Sequence, residues 1–280
     1  MPDSAIPFVL PGHIVRKIWS QEECILFLFA ASAAEFAAHQ TVDWLYFTGK
    51  IPEDPIGRMF STLEYARQIV FSSEEVAVNT IGRIRQIHSK VESARRQRIP
   101  DWAYRDVLLM LIDYSVRAYE SLYHTLCYSD KQDILEVFLR IGRHLEIPNL
   151  PQDYIQFESM RQKELNSHLV RSELTVDLYM QYRKHLGPIR YYLLLLLQNK
   201  LCHPVVRQKL NFRYSRSVSM LWKVYQLIRC LPGYAAAKFW LVPTPYRSIL
   251  KQLKSPQLPA SKVDKEKFRR CPVSRKNVHY

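Results

Sequence analysis

Arg83-Ile84-Arg85-Gln86-Ile87-His88-Ser89-Lys90-Val91 places one histidine on the apolar stripe of an amphipathic helix, with an arginine three residues before it. Ala77, Ile81, Ile84, His88 and Val91 recur at intervals of four, three, four and three. That is the period of an α-helix, so all five share one face. An imidazole held among apolar side chains needs a partner, which can be a carbonyl, a carboxylate or a metal such as iron or zinc. The spacing alone leaves these open, because an Arg/His pair carries no cofactor fingerprint of its own.

Helix signals continue in both directions from this segment. Ser72 with Glu75 reads as a capping box opening the His88 helix, and Ser20 with Glu23 as another before the apolar run Cys24 to Ala38. Asp54-Pro55 supplies an N-cap and a first-turn proline for a helix to about Val70. Ser129 with Gln132 opens a helix that ends near Leu145. Further helices are expected over about 101–126, 152–168, 175–201 with a break at Gly187-Pro188, 205–210, 217–231 and 234–241. No run alternates with the period of a strand between hairpin turns, and no internal repeat is visible. With 280 residues, 48% hydrophobic and only seven glycines, the expectation is an all-α bundle of about eight to ten helices. It forms one catalytic-sized domain over 1–250, followed by a tail.

Residues 251–280 hold nine Lys and Arg against two Asp and Glu, a net +7 of the chain's +14. Such a segment buries too little apolar surface to order itself, and it attracts anionic surfaces, either phospholipid or nucleic acid. No nucleic-acid module accompanies the charge, so nucleic acid is not an expected partner. The segment 218–242 mixes Trp222, Tyr225, Tyr234, Phe239 and Trp240 with Lys223, Arg229 and Lys238. That pattern suits either a packing helix or one lying in a membrane interface. The most apolar run, Tyr191 to Leu197, has seven residues, against about twenty needed to span a bilayer. Five scattered cysteines, odd in number and without a C-x-x-C pair, argue against a disulfide framework and a cysteine zinc site. With no secretory signal at the N-terminus, a reducing, cytoplasmic setting is expected, with peripheral membrane contact open to it.

Phosphate loops, nucleophile elbows and H-E-x-x-H helices are all missing from the sequence, which removes support for nucleotide-driven and hydrolase chemistry. Three Glu/His pairs, Glu35/His39, Glu120/His124 and Glu164/His168, are spaced i, i+4. Di-iron bundles use Glu-x-x-His at i, i+3, so these pairs read as solvated helix faces. On the Asp54-Pro55 helix, Arg58, Ser61 and Thr62 share a face. A guanidinium there suits a carboxylate or a heme propionate, and a hydroxyl suits an oxygen ligand or a water.

The order Asp-Pro-x-Gly-Arg at 54–58, Thr62, Phe71, Arg-x-x-His at 85–88, Tyr-Glu at 119–120 and Leu-x-Ile-Pro at 145–148 resembles the MpaB-type oxygenase family. The family joins a fungal ER-bound oxygenase of mycophenolic acid biosynthesis with the rubber oxygenases called latex-clearing proteins. The likeness covers roughly 15–245. It implies a globin-like, all-helical fold around a b-type heme that activates dioxygen toward an unsaturated hydrophobic small molecule. By position, it implies His88 as the iron ligand and Arg85 as a propionate or supporting partner, with Arg58 and Thr62 as catalytic residues of the distal helix. Ser61 departs from the pattern, since rubber oxygenases carry a lysine there that can cap the iron. A serine cannot, which leaves the sixth iron position open or filled by another side chain and makes rubber an unsuitable substrate. The contrasting expectation is a non-enzymatic helical protein that binds membranes or partners through its basic C-terminal region.

Overall fold

The computed structural model describes residues 6–49, 53–212 and 216–229, together with Leu231 and Tyr234. Among these residues the chain forms eleven helices and no strand. They are α1 (Ile14–Trp19), α2 (Glu22–Ala37), α3 (Val42–Phe47), α4 (Pro55–Phe71), α5 (Glu74–Arg95) and α6 (Asp101–Leu122). The remainder are α7 (Tyr128–His144), α8 (Tyr154–Ser167), α9 (Glu173–Leu201), α10 (Pro204–Lys209) and α11 (Arg216–Ile228). The expected basic tail 251–280 and most of the expected helix 234–241 lie outside the described residues.

α2 is the centre of the bundle. From Cys24 to Ala34 it carries no charge, and Cys24, Ile25, Leu28, Ala31 and Ala34 are all at or below 1% exposed. A helix apolar around its whole circumference must be covered on all sides. α6 and α9 supply the largest cover. α4 and α5 form a hairpin joined by Ser72 and Ser73, with α4 also against α9 and α5 against α7. This hairpin carries the Arg58 and His88 segments.

Neither expected capping box forms. Ser20 closes α1, donating from its hydroxyl to Lys17 O at 3.0 Å, and α2 starts after Gln21 without a side-chain cap. Ser72 closes α4 in an extended conformation, and Ser73 precedes α5 without a side-chain bond. The N-terminal segment does the capping instead: Glu74 N donates to Ile6 O at 2.7 Å, while Phe8 N donates to Ser72 O at 3.1 Å. An orphan helix N–H needs an acceptor, and a distant backbone carbonyl serves as well as a local side chain. Asp54 does cap α4 as the sequence suggests, accepting from Gly57 N at 2.8 Å. The break at Gly187-Pro188 is also present, with Gly187 at φ 71° interrupting α9.

Candidate functional site

The Asp54 cap and Pro55 fix the first turn of α4, and the next turn presents Arg58, Ser61 and Thr62, all half-buried. Arg58 Nη1 donates to Ser61 Oγ at 3.2 Å. Both hydroxyls donate back to the helix, Ser61 to Arg58 O at 2.8 Å and Thr62 to Arg58 O at 3.2 Å. Local back-bonding of this kind parks a hydroxyl hydrogen and leaves the oxygen able to accept, as Ser61 Oγ does from Arg58. Burial lowers the Arg58 pKa, and no carboxylate pairs with its guanidinium among the described residues.

Across the hairpin, the α5 stripe is graded. Ala77 and Ile81 are fully buried, whereas Ile84, His88 and Val91 are half-buried as the helix rises toward the surface. The His88 ring packs edge-on against Tyr104 of α6, centroids 5.1 Å apart. Its Nδ1 is enclosed and has no hydrogen-bond partner among the described residues. Burial lowers the His88 pKa, and the Arg58 charge lowers it further, against a weaker opposing pull from Glu92. Glu92 is occupied, accepting from Ile99 N at 2.8 Å and from the Tyr104 hydroxyl at 3.3 Å. Burial and the nearby Arg58 charge thus favour the neutral imidazole of His88, and among the described residues no carboxylate pairs with that arginine.

Arg85 does not join them. It reaches Glu146 Oε2 at 2.5 Å, with both side chains exposed, and ties α5 to the turn after α7. All four residues singled out in the sequence lie on the α4–α5 hairpin: Arg58 and Thr62 are one turn apart, Arg58 acts electrostatically on His88, and Arg85 turns away to Glu146.

Two of the i, i+4 Glu/His pairs are buried rather than solvated, a correction to the sequence reading. Glu35, His39 and Glu164 are each 5% exposed or less. Glu35 takes Arg161 and the Tyr114 hydroxyl, at 2.5 and 2.9 Å. His39 Nε2 lies 3.1 Å from Asp106 Oδ2, and His168 Nδ1 bonds the same oxygen. Helix period reports which residues share a face but not which face meets solvent. Asp106, 67 residues beyond His39, has no sequence signal linking it to either histidine. Glu120/His124 fits the expectation better, with Glu120 paired to Lys131 at 3.1 Å near the surface.

The chain is thus an all-α bundle with an enclosed imidazole, His88, close enough to Arg58 of the same hairpin to be influenced by its charge. Residues 16–230 match the catalytic domain of the ER-bound oxygenase mpaB/B'/rubber oxygenase family, and the chain belongs to that family. It is an oxygenase catalytic domain, and the matched span takes in Arg58, Thr62, Arg85 and His88. No curated protein and no solved structure matches the chain. No helix among the described residues is long and apolar enough to cross a membrane.

Proposed function

We propose that this oxygenase works with a b-type heme held by His88 and acts on an unsaturated hydrophobic small molecule. The observation that carries the reading is the enclosed His88 Nδ1 without a partner. Leaving a buried polar group unsatisfied costs about 1–3 kcal/mol, so such an atom calls for an explanation. An imidazole kept neutral by burial and by Arg58 has its lone pair available for iron. The donor set fits the group in a second respect: Arg58, a half-buried cation lacking a carboxylate, suits an anionic propionate. Heme, when bound, would supply the binding and activation of dioxygen.

The chain's own residues do the rest. His88 would hold the iron through a ring nitrogen, and Tyr104 packs edge-on against its ring. Arg58 neutralises a carboxylate and holds His88 unprotonated. Thr62 and Ser61, whose hydroxyls bond Arg58 O, would be the groups available to hydrogen-bond an oxygen ligand or a water. Arg85 enters as a positioning residue, fixing α5 through Glu146. Apolar substrate arrives from a lipid surface, consistent with Met220, Val224, Leu227 and Ile228 standing exposed along α11 while Trp222 and Tyr225 pack inward on Phe27.

The test is a hemin titration of the full chain followed by optical spectroscopy and iron quantitation. A Soret band at one heme per chain is expected, lost or strongly shifted in His88→Ala and retained in Arg85→Gln. A folded wild-type protein that stays colourless throughout the titration overturns the heme reading.

A further inference from the structure

We propose that His39, Asp106 and His168, completed by Glu164, form a site for one divalent first-row transition-metal ion, separate from His88. The three ligand atoms lie within 4.8 Å of one another. Metal–nitrogen and metal–oxygen bonds of about 2.0–2.2 Å require donors about 3–4 Å apart, so this spacing needs only small side-chain movements to close on an ion.

The backbone builds the cluster. The exits of α2 and α8 run side by side, with Gln40 N donating to His168 O at 3.0 Å and Val170 N donating to Ala38 O at 2.7 Å. This isolated pairing of His39 with Leu169 sets the two histidines next to each other. Asp106 enters from α6, one turn beyond Trp102, whose ring stacks on His168 at 4.1 Å. Trp102 and Tyr104 are two residues apart on α6 and so face opposite sides of it. Tyr104 meets His88, and Trp102 meets His39 and His168. The two candidate sites are thereby placed on opposite faces of one helix.

The second observation is that Asp106 Oδ1 and Glu164 Oε2 are both enclosed and that the two carboxyls lie within hydrogen-bonding reach of each other, a contact that only a shared proton or a cation makes favourable. Arg105 Nε holds Glu164 through Oε1 alone, at 2.9 Å. Two neighbouring buried carboxylates repel each other unless a cation or a proton lies between them. A metal ion would take the place of the shared proton and use these oxygens as ligands. Thr41 supports His39 from behind, its Oγ1 2.7 Å from Nδ1. A hydroxyl can donate to that nitrogen in the metal-free form and accept from Nδ1–H once Nε2 is bound, the usual arrangement of a ligating histidine. Two imidazoles with carboxylates favour zinc or ferrous iron over magnesium or calcium.

The test takes the full-length chain, freed of hemin and dialysed against a chelator, and titrates it with Zn(II) by calorimetry, with elemental analysis of the product. One zinc per chain is expected, with affinity reduced about tenfold or more in His168→Gln and Asp106→Asn and unchanged in His88→Ala. Asp106→Asn sits in the core and is scored only if its circular dichroism matches wild type. His168→Gln, at the edge of the cluster, keeps the test decisive otherwise. Folded wild type that takes up no zinc, or equal binding by wild type and His168→Gln, overturns the site. The heme reading is scored separately by the Soret band, so either proposal can fail alone.

Discussion

Arg58 on α4 lies near enough to His88 on α5 for its charge to add to burial in lowering the proton affinity of the imidazole. Removing that charge should raise the His88 pKa toward its ordinary value of about 6.5. Arg58→Gln is the variant of choice, and histidine NMR titration of the heme-free chain is the measurement. The sign for stability follows. The unfolded chain protonates His88 below about 6.5 while the folded chain resists, so stability falls as pH drops from there through the lower folded pKa. Arg58→Gln narrows that window. An unchanged titration would mean that burial alone keeps the ring neutral.

Arg161 Nη2 donates to Glu35 Oε2 at 2.5 Å and its Nε to Asp113 Oδ2 at 2.9 Å, with Arg161 and Glu35 side chains only 4% and 2% exposed. Arg161→Met leaves two carboxylates in the core without their cation and should cost about 3–5 kcal/mol, as breaking a buried pair does. Glu35→Gln, which keeps an acceptor for Arg161, should cost less. Urea midpoints of the two variants rank them, and equal losses would contradict the charge argument.

The same network fixes the acid limb. Burial alone would raise the Asp113 pKa, but Arg161, His203 and Arg117 outweigh it and hold the carboxyl well below the usual range. A depressed carboxylate stabilises the fold above its unfolded pKa of about 3.9 and loses that contribution as pH falls toward the folded value, at about 1.4 kcal/mol per unit. Wild type should therefore lose stability steeply below pH ~4, and Asp113→Asn should start lower and decline less. Denaturant midpoints at neutral and acid pH measure the difference.

α7 approaches α6 closely at Gly142, where an added Cβ would lie 2.7 Å from Leu108 Cδ2 and 2.9 Å from Leu150 Cδ1. Both neighbours are side-chain ends, so they can shift but not without strain. Gly142→Ala should cost about 1–3 kcal/mol, the usual penalty for overpacking. A neutral thermal midpoint would show that Leu108 and Leu150 repack freely.

Legibility in the sequence followed locality. The α4 start at Asp54-Pro55, the α9 break at Gly187-Pro188 and the helical face bearing His88 depend on near neighbours, and all appear where the residues indicate. α1 and α3, six residues each, have too few turns to show a period. The two capping boxes failed because Ile6 to Phe8, more than sixty residues away, and the close of α1 compete for the same positions. His88 and Arg58 could be nominated separately, but their juxtaposition needs the hairpin. Asp106 between His39 and His168 needs three elements brought together, which no linear spacing encodes.

The exposed row on α11 gives the membrane expectation a concrete form. Met220, Val224, Leu227 and Ile228 recur at helical intervals, and Leu227 is 71% exposed. Trp222 and Tyr225 point the other way, against Phe27, so polar substitution on the outer row leaves the packed face intact. Burying one large apolar side chain in a bilayer interface contributes about 1.5–3 kcal/mol. Leu227→Ser with Ile228→Ser should then weaken co-sedimentation with phosphatidylcholine–phosphatidylserine vesicles by about tenfold or more. Raising salt should weaken wild type as well if basic residues contribute, since anionic headgroups are screened within about 10 Å at 0.1 M. Undiminished binding by the double variant would move the contact away from α11, and no binding by wild type would remove the membrane from the substrate route.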